Sequence, residues 1–392
     1  MKELKTLGCV LTIIVIITIL IVAVINYVAL AASIPMVWNF VHSPEADPVY
    51  LRWPFFIVVP FRIDLFFIYG EGIFGYFLIG FFLITLSLIL FFYETGIFFS
   101  KVFKKLSHAW GPNPISDFAE MFTITLFVSI ISALISHALG SSPTSPGIEK
   151  LPIEVQMYAL EFASFHEELI TRVLLIGVPV AIYTLFTTRD WKKSVLALPG
   201  GVARKRSMNS IELFFLIISS VIFSLAHVIT GGWGLWKIPG TFVAGLVFGY
   251  LYIKYGLHFA IMAHFITDYM TISSWFMTNG GPAMFGLLAI FALIVLMWIV
   301  VGGIYTVKHT IRLKHEIFGY PEKKYGEEFT PHFHTLKCPV CGSQIFRYLP
   351  DGSLICARCG FRVFPSPPPP PWYSEQSGQE YPEYPPPPPP PL

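Results

Sequence analysis

Eight apolar runs, most of about 16 to 25 residues, recur along this chain near 7–31, 74–94, 118–138, 153–187, 211–230, 238–253, 257–275 and 283–306. A helix rises about 1.5 Å per residue, so roughly 20 residues cross a hydrocarbon core of about 30 Å. Lipid offers the backbone no hydrogen-bond partners, so runs of this length are expected to be helical. The composition agrees: 54% of residues are hydrophobic and only 13% charged, against roughly 25% charged in ordinary soluble domains. The expected fold is an all-α polytopic membrane protein of about eight transmembrane helices in the cell membrane.

The first run resembles a signal peptide, because Lys2 and Lys5 precede it and Ala29-Leu30-Ala31 looks like a cleavage site. It is longer than the usual apolar region of about 7–15 residues, so an uncleaved anchor is expected. Charge then orients the bundle. Lys101, Lys104 and Lys105 share one short loop; Arg189, Lys192, Lys193, Arg204, Lys205 and Arg206 share another; Lys308, Arg312 and Lys314 follow the last run. Loops such as SSPTSPGIEK and TNGGP are poor in Lys and Arg. Basic short loops stay in the cytoplasm, so eight crossings put both termini there. Residues 33–70 fit less cleanly: FFIVVPFRIDLFFIY is apolar but holds Arg62 and Asp64, which suits a re-entrant or interfacial segment. If it crossed instead, the N-terminus would move outside. A net charge of only +2 argues against an extended nucleic-acid surface.

Four of the five cysteines crowd one C-terminal segment, CPVCGSQIFRYLPDGSLICARCGF. Cys338-x-x-Cys341 and Cys356-x-x-Cys359 are separated by fourteen residues. Each Cys-x-x-Cys-Gly turn aims two thiolates at one point, and two turns complete a tetrahedral zinc site. QIFRYL and SLICA, joined through Pro350-Asp351-Gly352, read as a hairpin between them. This is the pattern of a zinc ribbon, with a closed and structural metal, and it implies a reducing compartment. Cys9, alone in the first run, reads as an inert apolar residue. The tail beyond is mostly proline, an extended polyproline-type segment; ribbon and tail are candidate surfaces for a protein partner.

SFHEELITRVLLIG, residues 164–177, poses the chemical question. A charge at mid-membrane costs about 2.5–3.5 kcal/mol on insertion scales, and intramembrane charges face one another or a wet cavity. On an α-helix Glu168 and Arg172 share a face and can pair, leaving Glu167 pointing elsewhere. A His-Glu-x-x-His zinc motif is unavailable, because Ile170 stands where the second histidine is needed. Partners lie on later runs: His227, one turn after Phe223, and His264 with Asp268 four residues on. Glu167, Glu168, Arg172, His227, His264 and Asp268 thus form a candidate catalytic set drawn from three helices.

These residues resemble the CPBP intramembrane proteases, which include the type II CAAX prenyl endopeptidases. The family pattern is Glu-Glu-x-x-x-Arg, then Phe-x-x-x-His, then His-x-x-x-Asn or Asp on successive membrane helices. Glu167-Glu168 with Arg172, Phe223 with His227, and His264 with Asp268 match it in order. The resemblance covers about 113–310. It divides the chain into N-terminal spans and a connecting segment (1–112), a protease-like core (113–310), a linker (311–336), the ribbon (337–364) and the proline-rich tail (365–392), with ribbon and tail cytoplasmic. It implies hydrolysis of a peptide bond in a membrane-embedded or lipid-modified substrate, with the bilayer as the other partner. Members are commonly called metalloproteases, and a metal-free glutamate mechanism has also been proposed. Glu167 with His227 would activate water, and His264 would donate to the oxyanion. Asp268 departs from the Asn usual in prenyl endopeptidases. An ionised Asp opposes an oxyanion, so it suits a ligand or a partner orienting His264; this leans toward a metal-bound water on His227, His264 and a carboxylate. The competing classes are a transporter, for which Gly231, Gly232, Pro239 and Gly240 offer a helix break but no paired halves are seen, and an inactive scaffold recruiting partners.

Overall fold

A computed structural model describes residues 2–58, 61–109, 113–140, 147–204, 206–317, 338–342, 346–348 and 354–363. The chain forms two compact units, Met1–Tyr320 and Pro321–Leu392. Residues 318–336 of the expected linker, Lys337 of the expected ribbon, the Pro350-Asp351-Gly352 turn and the tail 365–392 lie outside the described residues.

The first unit is helical: α1 (Lys2–Val41), α2 (Glu71–Val102), α3 (Pro114–Ala138), α4 (Ile153–Phe162), α5 (Val178–Thr188), α6 (Trp191–Val195), α7 (Ser210–Ile229), α8 (Lys237–Tyr255), α9 (Leu257–Asn279) and α10 (Pro282–Ile317). Among the described residues, six helical segments are long and apolar enough to cross a membrane: Gly8–Val41, Glu71–Val102, Pro114–Ala138, Ile153–Thr188, Ser210–Ile229 and Met284–Ile311. The runs expected at 238–253 and 257–275 are helical as well, as α8 and α9. They are less apolar than the six because they carry Lys237, Lys254, His258, His264 and Asp268.

Local signals set the helix starts. Asn113 caps α3, its Oδ1 accepting the Ser116 amide at 2.8 Å, with Pro114 as the first helical residue. Asn209 and Glu212 form a capping box at α7, so two otherwise orphaned amides find acceptors. Inside the bundle, polar side chains on apolar helices grip one another, as lipid demands. Asn26 of α1 donates to Ile266 O of α9 at 3.0 Å and accepts from Ser273 Oγ at 2.7 Å. Trp298 of α10 donates to Thr18 of α1 at 2.9 Å. Gly302 lets α10 approach α3 closely, since a Cβ there would stand 2.0 Å from Thr123 O.

Residues 33–70 resolve into the end of α1 and a hairpin of β1 (Arg52–Val58) and β2 (Arg62–Tyr69), antiparallel, with an irregularity between Phe55 and Phe56. A two-stranded hairpin leaves both edges without ladder partners, so it does not cross hydrocarbon. The apolar run therefore adds no crossing.

Helix directions place the loops. α1, α3, α8 and α10 bracket the basic segments 101–105 and 189–206 at one face, and Arg204 bridges these segments to α2 through Glu94 at 2.5 Å. Lys308 near the end of α10 reaches Glu120 at the start of α3 at 2.8 Å. The hairpin, the 148–152 segment and the 230–236 loop lie at the opposite ends of the same helices.

In the second unit β3 (Phe346–Tyr348), β4 (Leu354–Cys356) and β5 (Arg362–Val363) form a small antiparallel sheet in that order.

Candidate active site

The segment between α4 and α5 is not the α-helix that a 100° step assumes. Residues Ala163–Glu167 and Leu169–Gly177 are π-helical. A π-helix widens the turn, and such segments concentrate at functional sites. Glu168 and Arg172 pair nonetheless, Nε to Oε2 at 2.8 Å, with both side chains 0% exposed. Arg172 also donates from Nη1 to Ser219 Oγ of α7 at 3.2 Å, and Ser219 donates to Thr171 O at 2.5 Å. Its guanidinium lies 5.2 Å from the Phe223 ring centre. Three contacts thus lock the π-helix to α7.

The free oxygen of Glu168, Oε1, faces His264 Nδ1 of α9 at 2.9 Å. On its other side His264 Nε2 lies 3.3 Å from Asp268 Oδ2 and 3.9 Å from Glu167 Oε2. A ring with carboxylate oxygens beside both nitrogens satisfies them by donating twice. His227 Nδ1 donates to the Phe223 carbonyl at 2.8 Å, which fixes the tautomer in a neutral ring and leaves Nε2 as an acceptor. Phe223 stands between the two histidines, with ring centres 4.7 Å from His227 and 6.1 Å from His264.

Glu167, His227, His264 and Asp268 line one cavity of about 550 Å³. Glu167 is 27% exposed, and its Oε2 is buried with no hydrogen-bond partner. Trp53 Nε1, Glu161 Oε1 and Arg172 Nη2 are also buried without a partner; of the two such carboxylate oxygens, that of Glu167 belongs to a residue lining the cavity, where a water or substrate proton can reach it. All six sequence-selected residues are therefore drawn together, but they divide: Glu168 and Arg172 are sealed behind the wall, and the other four face the cavity. Two carboxylates thus flank His264. Glu168 holds Nδ1 of His264, and Asp268 sits at Nε2, on the cavity side.

Among the described residues, the cysteine quartet is the one group of three or more His, Cys, Asp or Glu whose donor atoms all approach one another closely.

Residues that sequence reading did not select complete the site. His166 accepts from Tyr76 OH of α2 at 2.8 Å and donates from Nε2 to Phe56 O of β1 at 2.9 Å. It thereby ties the hairpin to the turn that carries Glu167. Trp53, Phe56, Val58 and Arg62 of the hairpin line the cavity, as do Trp233 and Lys237 from the approach to α8. His166 adjoins the Glu pair, which was a usable signal; nothing local marks Lys237.

In the second unit the Sγ atoms of Cys338, Cys341, Cys356 and Cys359 all lie within 4.8 Å of one another. Cys338–Cys359 and Cys341–Cys356 are each 3.5 Å apart, close to the roughly 3.8 Å edge of a tetrahedron with metal–sulfur bonds of about 2.3 Å. The Gly342 and Gly360 amides close each turn onto Cys338 O and Cys356 O at 2.8 and 2.9 Å. Both glycines have positive φ, 68° and 76°, a conformation other residues adopt only with strain. The quartet fits a metal ion.

The first unit is thus a helical membrane protein with a carboxylate–histidine centre. Residues 151–270, the segment that holds all six residues, match the family model described as Rce1-like, type II CAAX prenyl endopeptidase. No curated protein and no solved structure matches the chain.

Proposed function

We propose that this protein is an intramembrane endopeptidase acting on membrane-associated or lipid-modified peptides. The carrying observation is the unpaired Glu167 oxygen on the same cavity wall as the accepting Nε2 of His227 and the donating Nε2 of His264. Glu167 takes a proton from a water held with His227, and the hydroxide adds to the peptide carbonyl. His264, kept double-donating by Glu168 and Asp268, gives a hydrogen bond to the resulting oxyanion. The C–N bond then breaks, and the amine leaves with the proton that Glu167 took. Before substrate binds, Asp268 accepts from Nε2–H of His264 at 3.3 Å, and it gives that donor up to the oxyanion as the oxyanion forms. Glu168 and Arg172 position His264 and the π-helical turn.

The quartet Cys338, Cys341, Cys356 and Cys359 is read as a closed structural zinc site, with no position left for substrate.

The basic loops support a cytoplasmic placement of their face, with the ribbon and tail on that side. The loop-borne residues of the cavity wall, from Ile148 to Leu151 and from Thr230 to Trp233, come from the opposite face. On this orientation the cavity mouth is extracytoplasmic, and substrates enter there.

Cleavage of an S-farnesyl quenched peptide by the detergent-purified chain tests the reading. Turnover lost in Glu167→Gln at unchanged thermal stability supports it. Ion flux from sealed vesicles without any cleavage would favour a transporter instead.

A further inference from the structure

A second, much smaller cavity lies where the hairpin meets α2 and α4. Trp53 of β1, Tyr76 of α2, and Tyr158, Glu161 and Phe162 of α4 are among its walls. It leaves about 10 Å³ for the centre of a water-sized molecule, and a single water needs roughly 10–15 Å³ on that measure. Trp53 and Phe162 also line the Glu167 cavity, so the two share a wall.

Two polar atoms of the small cavity's residues, Trp53 Nε1 and Glu161 Oε1, are buried and have no hydrogen-bond partner among the described residues. Glu161 is 1% exposed, and an unsatisfied carboxylate oxygen is costly inside a membrane bundle. The hydroxyl donors on the same wall are already spent. Tyr158 OH donates to Tyr50 O at 2.7 Å, and Tyr76 OH donates to His166 Nδ1 at 2.8 Å. Gly80 of α2 makes room for the carboxylate, since a Cβ there would overlap Oε1. The two open atoms dictate what fits between them. An indole N–H supplies a proton and repels a cation, whereas a carboxylate oxygen takes a proton and repels an anion. The occupant must accept from one and donate to the other, and the space admits one heavy atom. Water meets all three conditions.

We propose that this cavity binds one water molecule, which accepts from Trp53 Nε1–H and donates to Glu161 Oε1, and that Glu161 thereby positions Trp53 as a wall of the Glu167 cavity. The water ties β1 to α4 beside the link from His166 to Phe56 O at 2.9 Å. The site stands without the peptidase reading; its effect on substrate rests on that reading. The indole N–H of Trp53, labelled with ¹⁵N and assigned by its loss in Trp53→Phe, is followed by NMR in the detergent-purified full chain. The wild type should show a nuclear Overhauser cross-peak between this proton and a slowly leaving water. Glu161→Leu, which deletes the acceptor, should lose the cross-peak and move the indole proton upfield. Glu161→Gln, whose side-chain oxygen still accepts, should keep it. On the farnesyl peptide Glu161→Leu should raise KM roughly three- to tenfold with kcat level, and Glu161→Gln should restore KM. Trp53→Phe removes the donor and should raise KM alike, which covers the case of a misfolded Glu161→Leu. Absence of the water cross-peak in the wild type overturns the site. So does a cross-peak that survives Glu161→Leu, because the indole would then face the water of the larger cavity, and so does one lost equally in Glu161→Gln. An unchanged KM in both Glu161→Leu and Trp53→Phe overturns the positioning role. If no peptide is cut while the cross-peak behaves as stated, the water site holds and the peptidase reading alone fails.

Discussion

The molecule holds two clusters of polar ligands, and they are built on opposite plans. The quartet Cys338, Cys341, Cys356 and Cys359 takes four identical donors from two glycine-closed turns and brings every sulfur within 4.8 Å of the others. The membrane centre takes unlike groups from three helices and stacks them in depth. Arg172 and Glu168 are sealed, His264 bridges them to the cavity, and Glu167 keeps an oxygen free. A closed set of like donors satisfies itself around an ion. A layered set of acids and bases leaves one group unsatisfied where a substrate can reach it. The difference teaches that proximity of ligating residue types is a poor guide to role, and that the informative feature is which groups face the cavity.

The largest expected effect breaks the membrane centre at its free carboxylate oxygen. Glu167→Gln should lower kcat by at least roughly 10³-fold, while the melting temperature stays level or rises, because an unpaired buried carboxylate is removed. A peptide assay paired with thermal unfolding checks both. Next comes its neighbour. Glu168→Gln leaves Arg172 buried beside a neutral partner, and breaking such a pair costs about 3–5 kcal/mol. The measurable outcome is a low yield of folded protein in detergent. Should the two glutamates exchange phenotypes, the division into sealed and reactive layers is wrong.

How far the sequence allowed this comparison to be drawn follows from the periodicity of its helices. Four-residue spacings were readable, and Glu168 meets Arg172 at 2.8 Å and His264 faces Asp268 at 3.3 Å. The π-helical turn of 163–177 was not readable, because no side chain announces a widened backbone step. The link between Glu168 and His264 joins residues 96 apart, and spacing within one helix carries no information about it. The hairpin of 52–69 was hidden because FFIVVPFRIDLFFIY is apolar at nearly every position and lacks strand alternation. Lys237 sits among Trp, Gly and Pro and reads as an ordinary loop charge. Only the cavity shows that it lies on the wall of the site.

Asp268→Asn sharpens the contrast with the quartet. Asn offers His264 Nε2 an oxygen in place of the carboxylate, so activity should stay within about tenfold of wild type. Loss of activity together with loss of a bound ion would instead make Asp268 a ligand. The smallest effect belongs to the hairpin tie. Tyr76→Phe removes one hydrogen bond to His166, worth about 1 kcal/mol, and should raise KM more than it lowers kcat, read from steady-state kinetics on the farnesyl peptide.

Metal content measured alongside activity tests the two plans most directly. The purified full-length chain is analysed for metal and assayed, as are Cys356→Ser/Cys359→Ser and His264→Ala. The account predicts about one zinc per chain, lost in the cysteine variant with peptidase activity retained and insensitive to chelator. It further predicts that His264→Ala keeps the zinc and loses the activity. A second ion per chain, surviving the cysteine substitutions and disappearing with activity in His264→Ala, would contradict it and make the membrane centre a metal site.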